Sequence, residues 1–74
     1  MKCLKNNTVK KFGQRIRELR INKKMSQGDL AKILKVHRSY VSGIERGLRN
    51  PSLLTLKKLS AALNVETTDL IEKI

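Results

Sequence analysis

The sequence predicts an all-α fold, a compact bundle of five helices in a single small domain. Across most of its 74 residues, apolar side chains recur at steps of three and four, the period of a helix with one buried face. Serine and threonine residues stand where several of these runs begin, as helix N-caps do. No segment shows the period-two alternation, or the Asn-Gly and Asp-Gly turns, of β-hairpins.

The first helix is predicted to run from Thr8, which would cap it, to about Lys23. Its apolar stripe comprises Val9, Phe12, Ile16 and Leu19. The helical spacing begins only after residue 7. We therefore interpret residues 1–7 as a flexible basic tail and residues 8–74 as the folded domain.

The second helix is predicted to begin after Ser26, because Asp29 follows three residues later in the arrangement of a capping box. Its apolar face would comprise Leu30, Ala31, Ile33 and Leu34. The helix must be short, since a third begins soon afterwards. We expect Val36 to be buried in the tight turn between the two.

The third helix is predicted to start with a cap at His37 or Ser39 and to end at Gly47. A helical wheel at about 100° per residue gives it two faces. The inner face comprises Val41, Ile44 and Leu48. The outer face comprises Arg38, Ser39, Ser42, Gly43 and Arg46. Two short helices joined by a tight turn form a helix-turn-helix, a motif whose second helix enters the major groove of DNA.

Two more helices follow the break at Pro51, a residue that disfavours helix for the residue before it. Ser52 would cap the fourth helix and Asn64 would end it. The leucines predicted to face inward are Leu53, Leu56, Leu59 and Leu63. Thr67 or Thr68 would cap the last short helix. Its apolar residues are Leu70, Ile71 and Ile74.

The chain carries a strong and uneven positive charge. Seventeen Lys and Arg residues against six Asp and Glu residues give a formal charge of +11, with a sequence pI of about 10.5. Residues 1–51 contain 14 of the basic and 3 of the acidic residues, whereas residues 52–74 contain 3 of each. The excess therefore lies in the first two-thirds of the chain. It favours a polyanionic partner, nucleic acid before an anionic membrane surface.

Composition excludes several classes of protein. No apolar run approaches the roughly 18–20 residues of a transmembrane helix, and no secretory signal is visible at the start. The single cysteine, Cys3, cannot form an internal disulfide, so we expect a cytoplasmic location. One histidine and six acidic residues supply no catalytic triad and no metal cluster. We therefore expect no enzyme activity, no cofactor and no metal site.

The outer face of the third helix has the chemistry of base recognition. Arginine pairs bidentately with guanine O6 and N7, and serine donates or accepts at either type of base. Gly43 in mid-helix costs about 1 kcal/mol relative to alanine, and close approach to DNA would explain its presence. The alternative is an exposed polar face that binds nothing. Tyr40 lies on the flank of the wheel, so packing against the second helix stays open for it.

The segment from Phe12 to Leu70 resembles the phage-repressor and Cro type of helix-turn-helix, the XRE family, which has a lambda-repressor-like fold. The motifs that carry the resemblance are Ser26-Gln27, Leu30-Ala31, Ile44-Glu45-Arg46-Gly47 and Arg49-Asn50-Pro51-Ser52-Leu53. Within that family, the run from Arg38 to Arg46 is most similar to the controller proteins of restriction–modification systems. The resemblance implies a homodimeric transcriptional regulator that binds double-stranded DNA at a palindromic operator and controls its own gene.

The resemblance also implies roles for individual residues. Base contacts would come from Arg38, Ser39, Tyr40 and Ser42. Contacts with the DNA backbone would come from Gln27, Arg46, Arg49 and Asn50. A buried ion pair between the first and third helices would comprise Arg20 and Glu45. Lys35 departs from the family pattern of Gly or Asn at its turn, and a left-handed conformation there would cost of order 1 kcal/mol.

Self-association is assigned to the neutral, leucine-rich segment 52–74. Leu54, Ile71 and Ile74 would form the dimer interface, the alternative for Leu54 being a solitary exposed leucine. With no second domain in the sequence, we expect no small-molecule effector.

Three other functions are compatible with parts of the sequence. The leading alternative is an antitoxin that binds both DNA and a toxin, because many antitoxins share this fold. RNA binding is less favoured, since Phe12 and Tyr40 are the only aromatic residues and no stacking platform results. A membrane-surface helix is less favoured still, because the basic residues are spread over several short helices.

Overall fold

The structure, a computed structural model, describes the backbone of residues 3–71 and the side chains of residues 8–71. Five helices follow one another along the chain: α1 (Cys3–Asn22), α2 (Gln27–Leu34), α3 (Arg38–Glu45), α4 (Leu53–Leu63) and α5 (Thr67–Ile71). No strand occurs between residues 3 and 71. The prediction of an all-α fold with five helices is confirmed.

One apolar cluster holds the helices together, and α3 packs against both α1 and α2. The buried members of the cluster are Phe12, Ile16, Leu30, Ala31, Leu34, Val41, Ile44, Leu59, Leu63 and Leu70. Full burial of a Leu or Ile side chain contributes about 1.5–3 kcal/mol relative to exposure. Helix α3 has only eight residues. It owes its stability to this packing, because so short a helix is marginal alone.

Two of the predicted helix starts are confirmed by their hydrogen bonds. Before α2, the Ser26 hydroxyl accepts from the Asp29 N–H at 2.9 Å, and the Asp29 carboxylate accepts from the Ser26 N–H at 3.0 Å. Before α4, the Ser52 hydroxyl accepts from the Thr55 N–H at 3.1 Å. Both caps join residues three positions apart, so the sequence alone contains the whole signal.

Helices α1 to α4 end in the same closure, each with one residue in the left-handed region. Those four residues are Lys24, Lys35, Gly47 and Asn64. The N–H of each reaches the carbonyl three positions earlier, and the next N–H reaches the carbonyl five positions earlier. This is the Schellman motif. In three of the four motifs the next residue packs on the core: Met25, Val36 and Val65.

Three apolar residues that were assigned to inner faces are exposed, which corrects the prediction for each. Ile33, Leu48 and Leu53 are 54%, 66% and 83% exposed. Helix α2 has only two turns, and its buried side is formed by Leu30, Ala31 and Leu34, so Ile33 lies outside it. Leu48 follows the left-handed residue that ends α3, so the helical wheel no longer describes its direction. Leu53 is the first residue of α4, which reaches the core only from Leu56 onwards.

Two predicted starts are wrong. Helix α1 begins at Cys3, so Thr8 lies inside it and is not its N-cap. No proline or glycine interrupts the chain before Gly13, and the backbone continues as helix upstream of the first apolar period. Helix α5 begins at Thr67, whose hydroxyl lies 3.4 Å from the Ser60 hydroxyl. The cap there is made by the Asp69 carboxylate, which accepts from the Glu66 N–H at 3.1 Å.

Candidate nucleic-acid interface

The turn between α2 and α3 is short because its first residue is left-handed. Lys35 has φ 60° and ψ 47°, which is the left-handed conformation that the family pattern of Gly or Asn at this position implied. A lysine in that region carries strain of order 1 kcal/mol. Val36, which follows it, is partly buried against the core and anchors the turn. Helices α2 and α3 thereby form a helix-turn-helix.

A buried ion pair joins α1 to the end of α3. Arg20 Nε lies 2.6 Å from Glu45 Oε2, and Arg20 Nη2 donates to Glu45 Oε1 at 3.1 Å. The two residues are 9% and 7% exposed. The guanidinium and carboxylate therefore meet in the bidentate geometry that gives a charge-assisted hydrogen bond its strength and direction.

Two further hydrogen bonds extend this pair. Arg20 Nη1 donates to the carbonyl of Met25 at 2.7 Å, in the segment between α1 and α2. Gln27 Nε2, at the start of α2, donates to Glu45 Oε1 at 3.1 Å. One carboxylate thus ties together α1, α2 and α3. The network fixes the angle at which α3 is presented to a ligand.

Gly13 lets α1 approach the end of α3 at the level of its backbone. A Cβ placed on Gly13 would overlap the carbonyl oxygen of Ile44 and would lie 2.8 Å from that of Glu45. No side chain fits there, because the neighbouring atoms are backbone and cannot rotate away. The apolar periods and motifs did not indicate a role for this residue. A glycine inside a predicted helix is the signal that could have found it, since it costs about 1 kcal/mol against alanine.

The outward face of α3 carries polar side chains that the protein itself does not use. Arg38 and Ser39 are exposed at its first turn, and Ser42 is half-buried one turn later. None of the three side chains forms a hydrogen bond or ion pair with the residues that the structure describes. Arg46 follows the last residue of α3 and is exposed as well. Donors and acceptors on this face are available to an external partner.

The start of α3 differs from the starts of α2 and α4. His37 occupies the N-cap position, and its side chain makes no cap hydrogen bond. Ser39 is the second residue of the helix and does not substitute for it. The Tyr40 N–H bonds to the His37 carbonyl at 3.0 Å. The N–H groups of Arg38 and Ser39 are left to solvent or to a ligand, and the positive end of the helix dipole faces the same way.

Arg49 lies across α3 rather than projecting alone from the loop after it. Its guanidinium carbon is 5.7 Å from the centre of the Tyr40 ring, a cation–π distance worth about 0.5–1 kcal/mol at an exposed site. Its stem passes over Gly43, where a Cβ would lie 2.8 Å from Arg49 Cγ. The contact with Arg49 explains why a glycine stands at position 43, whereas the sequence suggested only that DNA approaches closely there. Tyr40 is half-buried and also packs on the core.

The other predicted residues fall at three places. Gln27 is half-buried, with one amide N–H already given to Glu45, and Asn50 is exposed in the loop before α4. Leu54 and Ile71 are 62% and 49% exposed on α4 and α5, and Ile74 lies outside the described residues. Ile71 borders a groove between α1, α4 and the loop before α4. The groove is lined by Thr8, Val9, Phe12, Asn50, Pro51, Leu56 and Ile71.

Two further features of the described residues concern other kinds of site. Between residues 8 and 71, no three His, Cys, Asp or Glu side chains come together as metal ligands would. Within the same part of the chain, no helix combines the length and the apolar character needed to cross a membrane.

A basic helix bundle that presents the polar face of the second helix of a helix-turn-helix defines a DNA-binding transcription regulator. Residues 16–70 match the family model described as helix-turn-helix, which is more than half of the chain, so the chain belongs to the helix-turn-helix family of the XRE type. The resemblance that the sequence motifs indicated is confirmed. The family is one of DNA-binding regulators and is not a class of enzymes.

Three similar proteins illustrate the relationship. Control protein C.BamHI from Bacillus amyloliquefaciens is 47% identical over 68 residues, 90% of this chain and 84% of that protein. The restriction-modification controller protein C.AhdI from Aeromonas hydrophila has a crystal structure with TM-score 0.81 and 52% identity, covering 84% of this chain and 94% of that one. SinR, the master regulator for biofilm formation, has a crystal structure in complex with DNA. It matches with TM-score 0.78 and 44% identity, covering 82% of this chain and 98% of that one.

Proposed function

We propose that this chain is a homodimeric regulator that binds a palindromic operator through α3 and controls a restriction–modification system, its own gene included. Each protomer would place α3 in the major groove, with the two helices about 34 Å apart on one face of the duplex. The observation that carries the proposal is the outward face of α3, where the side chains of Arg38, Ser39 and Ser42 make no hydrogen bond or ion pair with the described part of the protein.

The outward face of α3 would make the direct contacts with the base edges. We assign base contacts to Arg38, Ser39, Tyr40 and Ser42. Arg38 stands at the first turn of α3, the part of a recognition helix that enters the groove most deeply. A guanidinium there can take guanine O6 and N7 together, whereas a serine hydroxyl discriminates less between bases. Arg38 is therefore expected to contribute most to sequence preference.

The remaining contacts hold the protein in place on the duplex. We assign backbone contacts to Gln27, Arg46, Arg49 and Asn50. Three of them are exposed, and Gln27 keeps its carbonyl oxygen and one N–H after its bond to Glu45. Phosphate contacts fix register and orientation, and base contacts supply the sequence information. The excess of basic residues before residue 52 supports the same assignment.

Dimerisation is proposed through α4 and α5. Leu53, Leu54 and Ile71 are 83%, 62% and 49% exposed, which places three large apolar side chains on the segment of zero net charge. Two copies would meet there with little charge repulsion and would bury apolar surface that water otherwise contacts. We include Ile74 in this interface from its sequence position.

The controller role comes from the similarity to C.BamHI and C.AhdI, which are described as controller proteins of such systems. A regulator of its own gene needs no ligand other than DNA, because occupancy of the operator follows the concentration of the protein itself. We therefore propose that the amount of this protein is the signal to which the operator responds.

Selection of bound duplexes from random DNA tests the proposed function. We expect enrichment of two inverted half-sites about one helical turn apart, with two chains on each duplex in sedimentation analysis. We also expect the enriched sequence upstream of the gene for this chain, where a reporter would respond to the protein. Enrichment of no sequence, or one chain on an asymmetric site, would contradict the proposal.

A further inference from the structure

The Arg49 side chain contacts α3 at two residues, Tyr40 and Gly43. The guanidinium carbon lies 5.7 Å from the centre of the Tyr40 ring, and the Cγ atom lies where a Cβ on Gly43 would be only 2.8 Å away. Tyr40 and Gly43 are three residues apart, so they share one side of α3. Gly43 is buried although the helical wheel places it on the outer face of α3, and the stem of Arg49 crosses close to it.

Alanine at position 43 would change this contact and little else. Leaving aside the backbone of α3 itself, the three heavy atoms nearest to a Cβ there all belong to the Arg49 side chain: Cγ at 2.8 Å, Nε at 3.7 Å and Cβ at 3.8 Å. A flexible side chain can move aside, so the fold would remain. The helix itself would gain, because alanine is the better helix former.

We propose that Gly43 is a positioning residue for DNA binding, which acts by seating Arg49 against the recognition helix. Because Gly43 has no side chain, the stem of Arg49 can occupy the space beside it. The Tyr40 ring contacts the guanidinium of Arg49. Arg49, in the loop after α3, is thereby fixed relative to Arg38 on α3. This inference rests on the proposed function, and in particular on Arg49 as a DNA contact.

The proposal differs from the other explanation of Gly43. A glycine on a recognition helix can serve to admit the DNA itself, and then alanine would collide with the duplex whatever residue 49 is. If Gly43 serves Arg49, alanine matters only while the arginine is present. The two explanations therefore predict different results in an Arg49→Ala background.

The first experiment uses the protein without DNA. Proton NMR of the wild type should show the side-chain methylene protons of Arg49 shifted by the ring current of Tyr40. The reference is Tyr40→Leu, and Tyr40 is the only tyrosine in the chain. Gly43→Ala should lose the shift, whereas Gly28→Ala should keep it, because a Cβ on Gly28 meets only Ser26 Oγ at 3.6 Å. An unchanged shift in Gly43→Ala would overturn the proposal.

The second experiment is a double-mutant cycle on the operator found by selection. Gly43→Ala should weaken operator binding about tenfold in the wild-type background, and by less than about twofold in the Arg49→Ala background. Its thermal unfolding midpoint should be equal to or above that of the wild type, which separates misplaced binding from misfolding. Equal weakening in both backgrounds, or no weakening in either, would overturn the role of Gly43.

The two arms also separate this inference from the proposed function. A wild-type protein that binds no selected duplex contradicts the proposed function, and the inference about Gly43 with it. A wild-type protein that binds tightly, with effects of Gly43→Ala and Arg49→Ala that simply add, contradicts the inference alone.

Discussion

The Arg20 guanidinium of α1 and the Glu45 carboxylate, at the last residue of α3, meet in a buried bidentate ion pair. The Nε–Oε2 distance is 2.6 Å and the Nη2–Oε1 distance is 3.1 Å. Gln27 of α2 donates to the same carboxylate. A recognition helix of two turns cannot hold its own direction. Its orientation comes from this network and from the apolar side chains beneath it.

Removing one partner of the pair should therefore destabilise the protein strongly. Arg20→Ala leaves the Glu45 carboxylate buried without its cation, and such a loss typically costs about 3–5 kcal/mol. Arg17→Ala is the matched control, because Arg17 is exposed on the same helix. Chemical denaturation of both variants measures the difference. A loss for Arg20→Ala no larger than that for Arg17→Ala would show that the pair does not hold the fold.

The glycines make a second stability test. Gly13→Ala should cost about 1–3 kcal/mol, since its methyl group would overlap backbone carbonyl oxygens of α3 that cannot rotate away. Gly28→Ala, where the nearest atom is Ser26 Oγ at 3.6 Å, should be neutral or stabilising. Thermal unfolding of the two variants compares them directly. Equal midpoints would refute the close approach of α1 to α3 at Gly13.

The capping box of α2 predicts a dependence of stability on pH. The Ser26 N–H, then the Ser26 hydroxyl, and to a smaller extent the charge of Lys32, hold the pKa of Asp29 below its ordinary value of 3.8. A lowered folded pKa stabilises the protein above 3.8, and that contribution is lost as the pH falls through the lowered pKa.

The unfolding midpoint of the wild type should thus exceed that of Asp29→Asn at neutral pH, and the difference should narrow in acid. Glu18→Gln, on the exposed side of α1, is the control for general effects of charge. Thermal scans from neutral pH down to about pH 3 measure the difference at each pH. A gap between wild type and Asp29→Asn that stays constant would rule out the capping carboxylate as its source.

The proposed dimer predicts different results for two exposed apolar residues. Leu54→Lys places a charge in the proposed interface and should yield a monomer in sedimentation at concentrations where the wild type is a dimer. Ile33→Lys changes a residue of similar exposure on α2, outside that interface, and should leave the dimer intact. A dimer that survives Leu54→Lys would place the interface elsewhere.

The sequence predicted those features whose signals are local. The caps at Ser26 and Ser52 each join residues three positions apart, and the end of α4 at Asn64 was predicted from where its apolar period stops. The left-handed turn at Lys35 was considered from the family pattern. The family motifs added the partnership of Arg20 with Glu45, which are 25 positions apart. Neither the apolar periods nor the helix caps could have indicated a pair so far apart in the sequence.

What the sequence did not predict depends on packing between distant segments. Leu48 and Leu53 continue an apolar period into places where the helix has ended or has not yet reached the core. Gly13 and Gly43 look alike as glycines in helices, yet one faces the backbone of another helix and the other faces the side chain of Arg49. Only the folded arrangement distinguishes them.

Arg38→Ala is the sharpest test of base reading by the outward face of α3. The measurement is the affinity of wild type and variant for the selected operator and for a random duplex, each over a range of salt concentrations. Arg49→Ala serves as the comparison, because a backbone contact should weaken binding to all duplexes alike and reduce the salt slope by about one.

If the outward face of α3 reads the bases, Arg38→Ala should lose about 1–3 kcal/mol on the operator and much less on random DNA, so that specificity falls. Equal weakening on both duplexes would mean that Arg38 contacts only the backbone, and it would contradict the claim that α3 reads the bases.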